Sequence, residues 1–133
     1  MYPWGDGFDG YLANFCDKNC PFSQANRKYL DGYIETAPVG QYPAGASPYG
    51  VLDMAGNVWE WVADWYAEDY YSSSPSNHPQ GPDSGDYRVV RGGSWHFAGF
   101  SATTANRNKY YPEYSVDNIG FRCALDVFVQ NTP

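Results

Sequence analysis

The chain has 133 residues, a length that supports one domain built around one core. A formal charge of −7 and an isoelectric point near 4.5 exclude the basic footprint that nucleic-acid phosphates or an anionic membrane surface would require. Aromatic residues make up 19% of the chain while the mean hydropathy is −0.59, so the expected core rests on a few large rings rather than many aliphatic side chains.

The first residues, Met1-Tyr2-Pro3-Trp4-Gly5-Asp6, carry neither a basic n-region nor an apolar h-region, and no later stretch approaches membrane-spanning length. The expectation is a soluble protein without an export signal of its own, cytoplasmic by default. From Tyr2 to Tyr33 turn signals dominate, at Trp4-Gly5-Asp6-Gly7, Asp9-Gly10 and Asp31-Gly32, with a short helix around Ser23 to Tyr29. Cys16 and Cys20 either pair locally or sit reduced in a loop, a spacing closer to a structural loop than to a redox Cys-x-x-Cys. Thr36 to Pro43 reads as extended, with proline restricting any pairing to an edge.

Val58 to Tyr66 alternates as a core strand, with Val58, Glu60 and Val62 on one side and Trp59, Trp61 and Ala63 on the other. Tyr70 to Tyr87, dense in Pro, Ser and Gly, reads as an irregular surface excursion, and Arg88-Val89-Val90-Arg91 as a short strand. Gly92-Gly93-Ser94-Trp95 then permits close backbone approach before burying an indole, and Ile119 to Leu125 reads as a buried strand carrying Cys123 inward. Between these framework ends lie His96, Phe97, Phe100, Tyr110, Tyr111 and Tyr114, interleaved with small polar residues in no helical or strand period. Rigid rings supply contact area at low entropic cost while small polar residues adapt their hydrogen bonds, the composition of a binding surface. The expected ligand is a protein or peptide, held by Phe97, Phe100, Tyr110, Tyr111 and Tyr114 and selected by His96, Ser101, Ser115, Val116 and Asp117. The polar tail after Val129 reads as frayed.

Three blocks in order, Gly50 to Trp61, Arg88 to Trp95 and Asn118 to Ala124, resemble the formylglycine-generating enzyme (sulfatase-modifying factor) family. The resemblance spans nearly the whole chain but covers only the C-terminal part of the usual family domain. It implies an α+β, C-type-lectin-like fold for residues 1–133, loop-rich, with short antiparallel strands and little helix. Such a piece folds alone, forms a homo-oligomer that covers an exposed core, or is a fragment of a longer product. The family's enzymes hold copper with two cysteines shortly after the Gly-Gly-Ser block, and here no cysteine lies between Gly92 and Arg122, so no copper is expected.

The family's structural calcium sites transfer more readily, because a hard cation needs only carboxylates, amide oxygens and carbonyls at turns. One site would use Asn14 and Asp31 with the carbonyls of Phe15 and Tyr33. The other would use Asp53 and Glu60 with the carbonyls of Gly56 and Val58. The alternative is that Asp53 caps a turn and Glu60 pairs with an arginine such as Arg91 or Arg107.

Within the family the chain resembles the variable proteins of diversity-generating retroelements, in which an Asn-rich template is copied with adenine-specific errors; the alternative is an ordinary member of the family with an irregular loop. The residues at 96, 97, 98, 100, 101, 110, 111, 114, 116 and 117 are all reachable from an Asn codon by that route, whereas Lys109 and Glu113 need another template codon. The resemblance thus implies a non-catalytic, ligand-binding protein with a variable region at 95–118. A formylglycine-generating oxidase or a degenerate relative is the alternative, and a carbohydrate-binding lectin is weakened by the absence of Glu-Pro-Asn and Trp-Asn-Asp signals.

Overall fold

Trp59 sets the centre of the molecule: it is almost fully buried and opens the longest strand, β1 (Trp59–Trp65). The structure is a computed structural model that describes residues 1–125. The sheet has the order β3-β2-β1-β4, where β2 is Arg88–Arg91, β3 is Asn108–Tyr110 and β4 is Ile119–Gly120. β1 and β2 run antiparallel, with Glu60 opposite Arg91 and Trp61 opposite Val90, and β3 pairs antiparallel with β2. The two remaining strands therefore lie on opposite edges. β4 runs parallel to β1, so the sheet is mixed rather than purely antiparallel as expected. To reach β4 from β3, residues 111–118 must cross three strand spacings, about 14 Å.

The alternation read from β1 survives folding. Trp59 meets Phe97 edge-on with centroids 5.7 Å apart, and Trp61 meets Tyr110 edge-on at 6.4 Å. Residues two apart on a strand share a face, so these rings roof the same side of the sheet. Elsewhere the core is small and ring-rich: Phe15 and Trp95 are buried, Val89 and Val90 are the buried aliphatic residues larger than Ala among those described, and Phe8 meets Phe15 and Tyr29 edge-on.

A hub at Gly56-Asn57 ties the loops to the sheet. The Gly56 amide donates to the Gly92 carbonyl, the Asn57 amide to the Asn14 carbonyl, and the Trp95 amide to the Asn57 carbonyl, all at 2.8 Å. The Asn57 side chain also takes both backbone groups of Ala37. Thr36 to Pro43 is accordingly held without a ladder, since a side chain satisfies the groups a neighbouring strand would have taken.

Two local expectations change, one open alternative is resolved and one holds. Ser23 to Tyr29 forms successive turns rather than a helix: the Ala25 amide donates to Phe22, the Asn26 amide to Cys16, and Asn26 Oδ1 accepts from the Lys28 amide. These contacts replace helical i→i−4 bonds. Cys16 and Cys20 form a disulfide, which the spacing left open. The last strand is two residues long instead of seven, because only Trp59 and Glu60 pair with it; Phe121 is 76% exposed and Cys123 is exposed rather than buried. Tyr70 to Tyr87 is a largely exposed excursion with one 3-10 turn at Tyr70–Ser72, as expected. The tail after Val129 lies outside the described residues. No helix among the described residues is long and apolar enough to cross a membrane.

Candidate functional site

The segment from Gly92 to Asn118 begins with two glycines at φ +92° and +78°, a backbone region that side chains rarely adopt. At Gly93 a Cβ would stand 3.0 Å from the Ala102 nitrogen, so the absent side chain lets the 3-10 turn Gly99–Ala102 close over the strand exit. Ser94 and Trp95 are buried immediately after it. At the far end the buried Asn118 accepts from the Trp59 amide at 2.8 Å. With the Gly92 carbonyl and the Trp95 amide bonded to Gly56 and Asn57, both ends of the segment are fastened to the one stretch from Gly56 to Trp59.

Between these anchors the expected contact residues separate into groups. His96 lies flat on Phe22 at 3.9 Å and on Trp95 at 5.0 Å, while its carbonyl accepts from Gln24 Nε2. The Phe97 carbonyl accepts from the Cys16 amide, which couples the start of the segment to the disulfide loop. Phe100 stands 72% exposed at the 3-10 turn. Ser101 departs from its expected role: it is buried, and its carbonyl accepts from Asn106 Nδ2, so it braces the turn instead of facing a ligand.

Tyr110 bridges Trp61 beneath it to Tyr114 above it, the latter pair stacked at 5.7 Å with Tyr114 half exposed. Tyr111, one residue on, turns the other way and packs on Tyr87 at 4.4 Å. Ser115, Val116 and Asp117 are exposed on the crossing loop. The structure therefore brings Tyr110 and Tyr114 together, places Tyr111 in a second tyrosine pair, and does not join Phe100 to either by a ring contact.

Three participants lie outside the segment read from sequence: Phe22, Trp61 and Tyr87. Trp61 was recoverable from its alternation with Trp59, and Tyr87 from its place just before β2. Phe22 carried no local signal, since it reaches His96 only through the disulfide loop. Burial raises the Tyr110 phenol above its usual range, with Tyr114 adding to the effect. The hydrogen bond to Tyr87 does the same for Tyr111, with smaller contributions from Asp86 and Glu113.

The two candidate calcium sites differ in fit. Asn14 is buried, donates Nδ2 to the Glu35 carbonyl at 2.7 Å, and leaves Oδ1 without a hydrogen-bond partner. Nearby, Asp31 accepts from the amides of Phe15 and Tyr33, and burial pushes its carboxyl up to about 6. An orphaned buried amide oxygen and a carboxyl that burial makes slow to ionise suit a hard cation. In the second set Arg122 holds both Glu60 oxygens and also donates to the carbonyls of Leu52 and Asp53. Asp53 Oδ2 accepts from the Gly40 amide at 2.6 Å. Glu60 thus has an arginine partner, but it is Arg122 rather than Arg91 or Arg107, and with a guanidinium on Glu60 this arrangement does not fit a second cation.

Residues 1–127 match the sulfatase-modifying factor enzyme 1-like domain. The formylglycine-generating enzyme of Streptomyces coelicolor is 45% identical over 100 residues, covering 72% of this chain and 31% of its own length. Among solved structures, PvdO from Pseudomonas aeruginosa aligns with a TM-score of 0.66 at 29% identity, over 88% of this chain and 40% of its own. Treponema denticola variable protein 1 aligns at 0.62 and 25% identity, over 88% of this chain and 38% of its own. The chain spans less than a third of the length of the first curated relatives it matches.

Proposed function

This chain belongs to the sulfatase-modifying factor enzyme 1-like domain family, and from that premise we propose that it is a non-catalytic domain displaying an aromatic-rich, diversified surface at 95–118 to a protein or peptide ligand. The observation that carries this reading is the exposure of Phe100, Tyr111 and Tyr114 between the buried anchors Trp95 and Asn118. Rings that face water on a loop fastened at both ends are arranged for contact, and a pre-fastened loop loses little entropy on binding. The likeness to a variable protein supports the same reading, and the fold by itself would not.

Calcium at Asn14 and Asp31 is proposed as a brace rather than a reactant. It would fix the loop whose Cys16 amide holds the Phe97 carbonyl.

The test uses a phage-displayed random peptide library selected against the purified chain. Enriched peptides should lose roughly thirty-fold in affinity on Tyr114→Ala, the order of one hot-spot contact of about 2 kcal/mol, with an unchanged unfolding midpoint. If Tyr110, Tyr111 and Tyr114 can all be replaced by Ala with every selected interaction intact, the surface lies elsewhere.

The high identity to a formylglycine-generating enzyme favours an oxidase as the second reading. Stoichiometric copper uptake with turnover of a cysteine-containing peptide would establish it. The missing thiols between Gly92 and Arg122 weigh against that result.

A further inference from the structure

The pairing of β2 with β3 ends with Arg88 opposite Tyr110, and Tyr87 and Tyr111 are the residues immediately beyond that last rung. Their ring centroids are 4.4 Å apart, their planes are inclined by 36°, and the Tyr87 and Tyr111 hydroxyls are hydrogen-bonded to each other at 2.8 Å. No other tyrosine pair among the described residues combines these features. Tyr110 and Tyr114 stack at 5.7 Å, Tyr70 and Tyr71 stand at 6.3 Å, and Tyr11 meets Tyr29 edge-on at 5.4 Å, all without a hydroxyl-to-hydroxyl bond. We propose that Tyr87 and Tyr111 form an oxidative modification site, at which a one-electron oxidant couples the two rings into an intrachain dityrosine.

The geometry favours this chemistry because the coupled product is an ortho,ortho-biphenol, in which two hydroxyls lie side by side next to the new bond. Here the hydroxyls are 2.8 Å apart while the ring centroids are 4.4 Å apart, so the rings converge toward their hydroxyl ends, where the ortho carbons lie. Each phenol gives up one electron and its hydroxyl proton to become a phenoxyl radical. The radicals join through one ortho carbon of each ring. The hydrogen on each joined carbon then moves to its oxygen, restoring both phenols. In sum one C–C bond forms, the chain loses two hydrogen atoms, and the oxidant accepts two electrons; a peroxide so reduced yields water. Tyr111 is 46% exposed, so a diffusible oxidant can reach the pair. The Lys109 ammonium stands 5.3 Å from the Tyr87 ring centre and 4.5 Å from that of Tyr66, so it flanks the pair on one side. The bond would pin the end of the Tyr70 to Tyr87 excursion to the base of the crossing loop.

The site is independent of any ligand, so its test leaves the binding reading untouched. Dilute purified chain is photo-oxidised with a ruthenium tris-bipyridine sensitiser and persulfate, and the single-chain fraction is digested and sequenced. The expected product is a monomer lighter by two hydrogen atoms, with dityrosine fluorescence and one dominant junction between Tyr87 and Tyr111. In urea, where the ladder is gone, that junction should be lost. Tyr87→Phe and Tyr111→Phe, both shape-conserving and verified as folded by circular dichroism, should each lose most of the single-chain fluorescence. Junctions in native monomer that fall mainly on other tyrosines, or dityrosine found only between chains, overturn the proposal. So does fluorescence undiminished by Tyr87→Phe.

Discussion

Gly56→Ala should damage this fold more than any conservative surface change, and Gly50→Ala supplies its internal control. The two glycines have nearly the same backbone angle, φ +78° and +76°. Each alanine therefore carries the left-handed strain of about 1–2 kcal/mol. Around Gly50 nothing lies within 4 Å of an added Cβ, whereas at Gly56 the new atom would stand 2.1 Å from the backbone carbonyl oxygen of Asn14. That oxygen accepts from the Asn57 amide at 2.8 Å, so it can retreat only by giving up the bond. Losing one hydrogen bond and leaving its groups unpaired adds roughly 2–4 kcal/mol. The expected totals are about 1–2 kcal/mol for Gly50→Ala and about 3–6 kcal/mol for Gly56→Ala, the latter a large share of a typical domain's stability. Urea unfolding of both variants, followed by Trp fluorescence, measures the difference as a shift in midpoint at constant slope. If the two variants unfold within about 1 kcal/mol of one another, the Gly56-Asn57 hub does not join the loops to the sheet as described.

Three further outcomes follow from the same contacts. Calcium added to chelator-treated protein should raise the thermal midpoint, by an amount corresponding to about 2.7 kcal/mol at a hundred-fold excess over the dissociation constant. Asp31→Asn should remove that response and Glu60→Gln should leave it, and equal midpoints with and without calcium would eliminate the first site. Replacing Cys16 and Cys20 together by Ala should cost about 2 kcal/mol, the chain-entropy value for so short a loop, in unfolding experiments under oxidising conditions. Arg122→Lys, which loses the two-pronged grip on Glu60, should cost about 1 kcal/mol because the pair is partly exposed. A double-mutant cycle with Glu60→Gln then tests whether that loss comes from the pair itself.

Sequence alone determined the framework, because its signals are local. The alternation of Trp59 and Trp61 follows from the two-residue period of a strand, and the Gly92-Gly93-Ser94-Trp95 exit follows from backbone angles that glycine tolerates. The short strand at Arg88–Arg91, the exposed excursion before it and the ring-dominated core were legible for the same reason. Tertiary structure alone decided which way neighbouring side chains in the display segment face. Tyr110, the last residue of β3, joins Trp61 and Tyr114, while Tyr111, just past the strand end, joins Tyr87. Ser101 faces inward because the 3-10 turn closes on Gly93, and Arg122 reaches Glu60 across 62 positions of sequence because β4 lies parallel to β1. Composition shows that the rings are there. Only the pairing of distant strands determines which are held in the fold and which meet water.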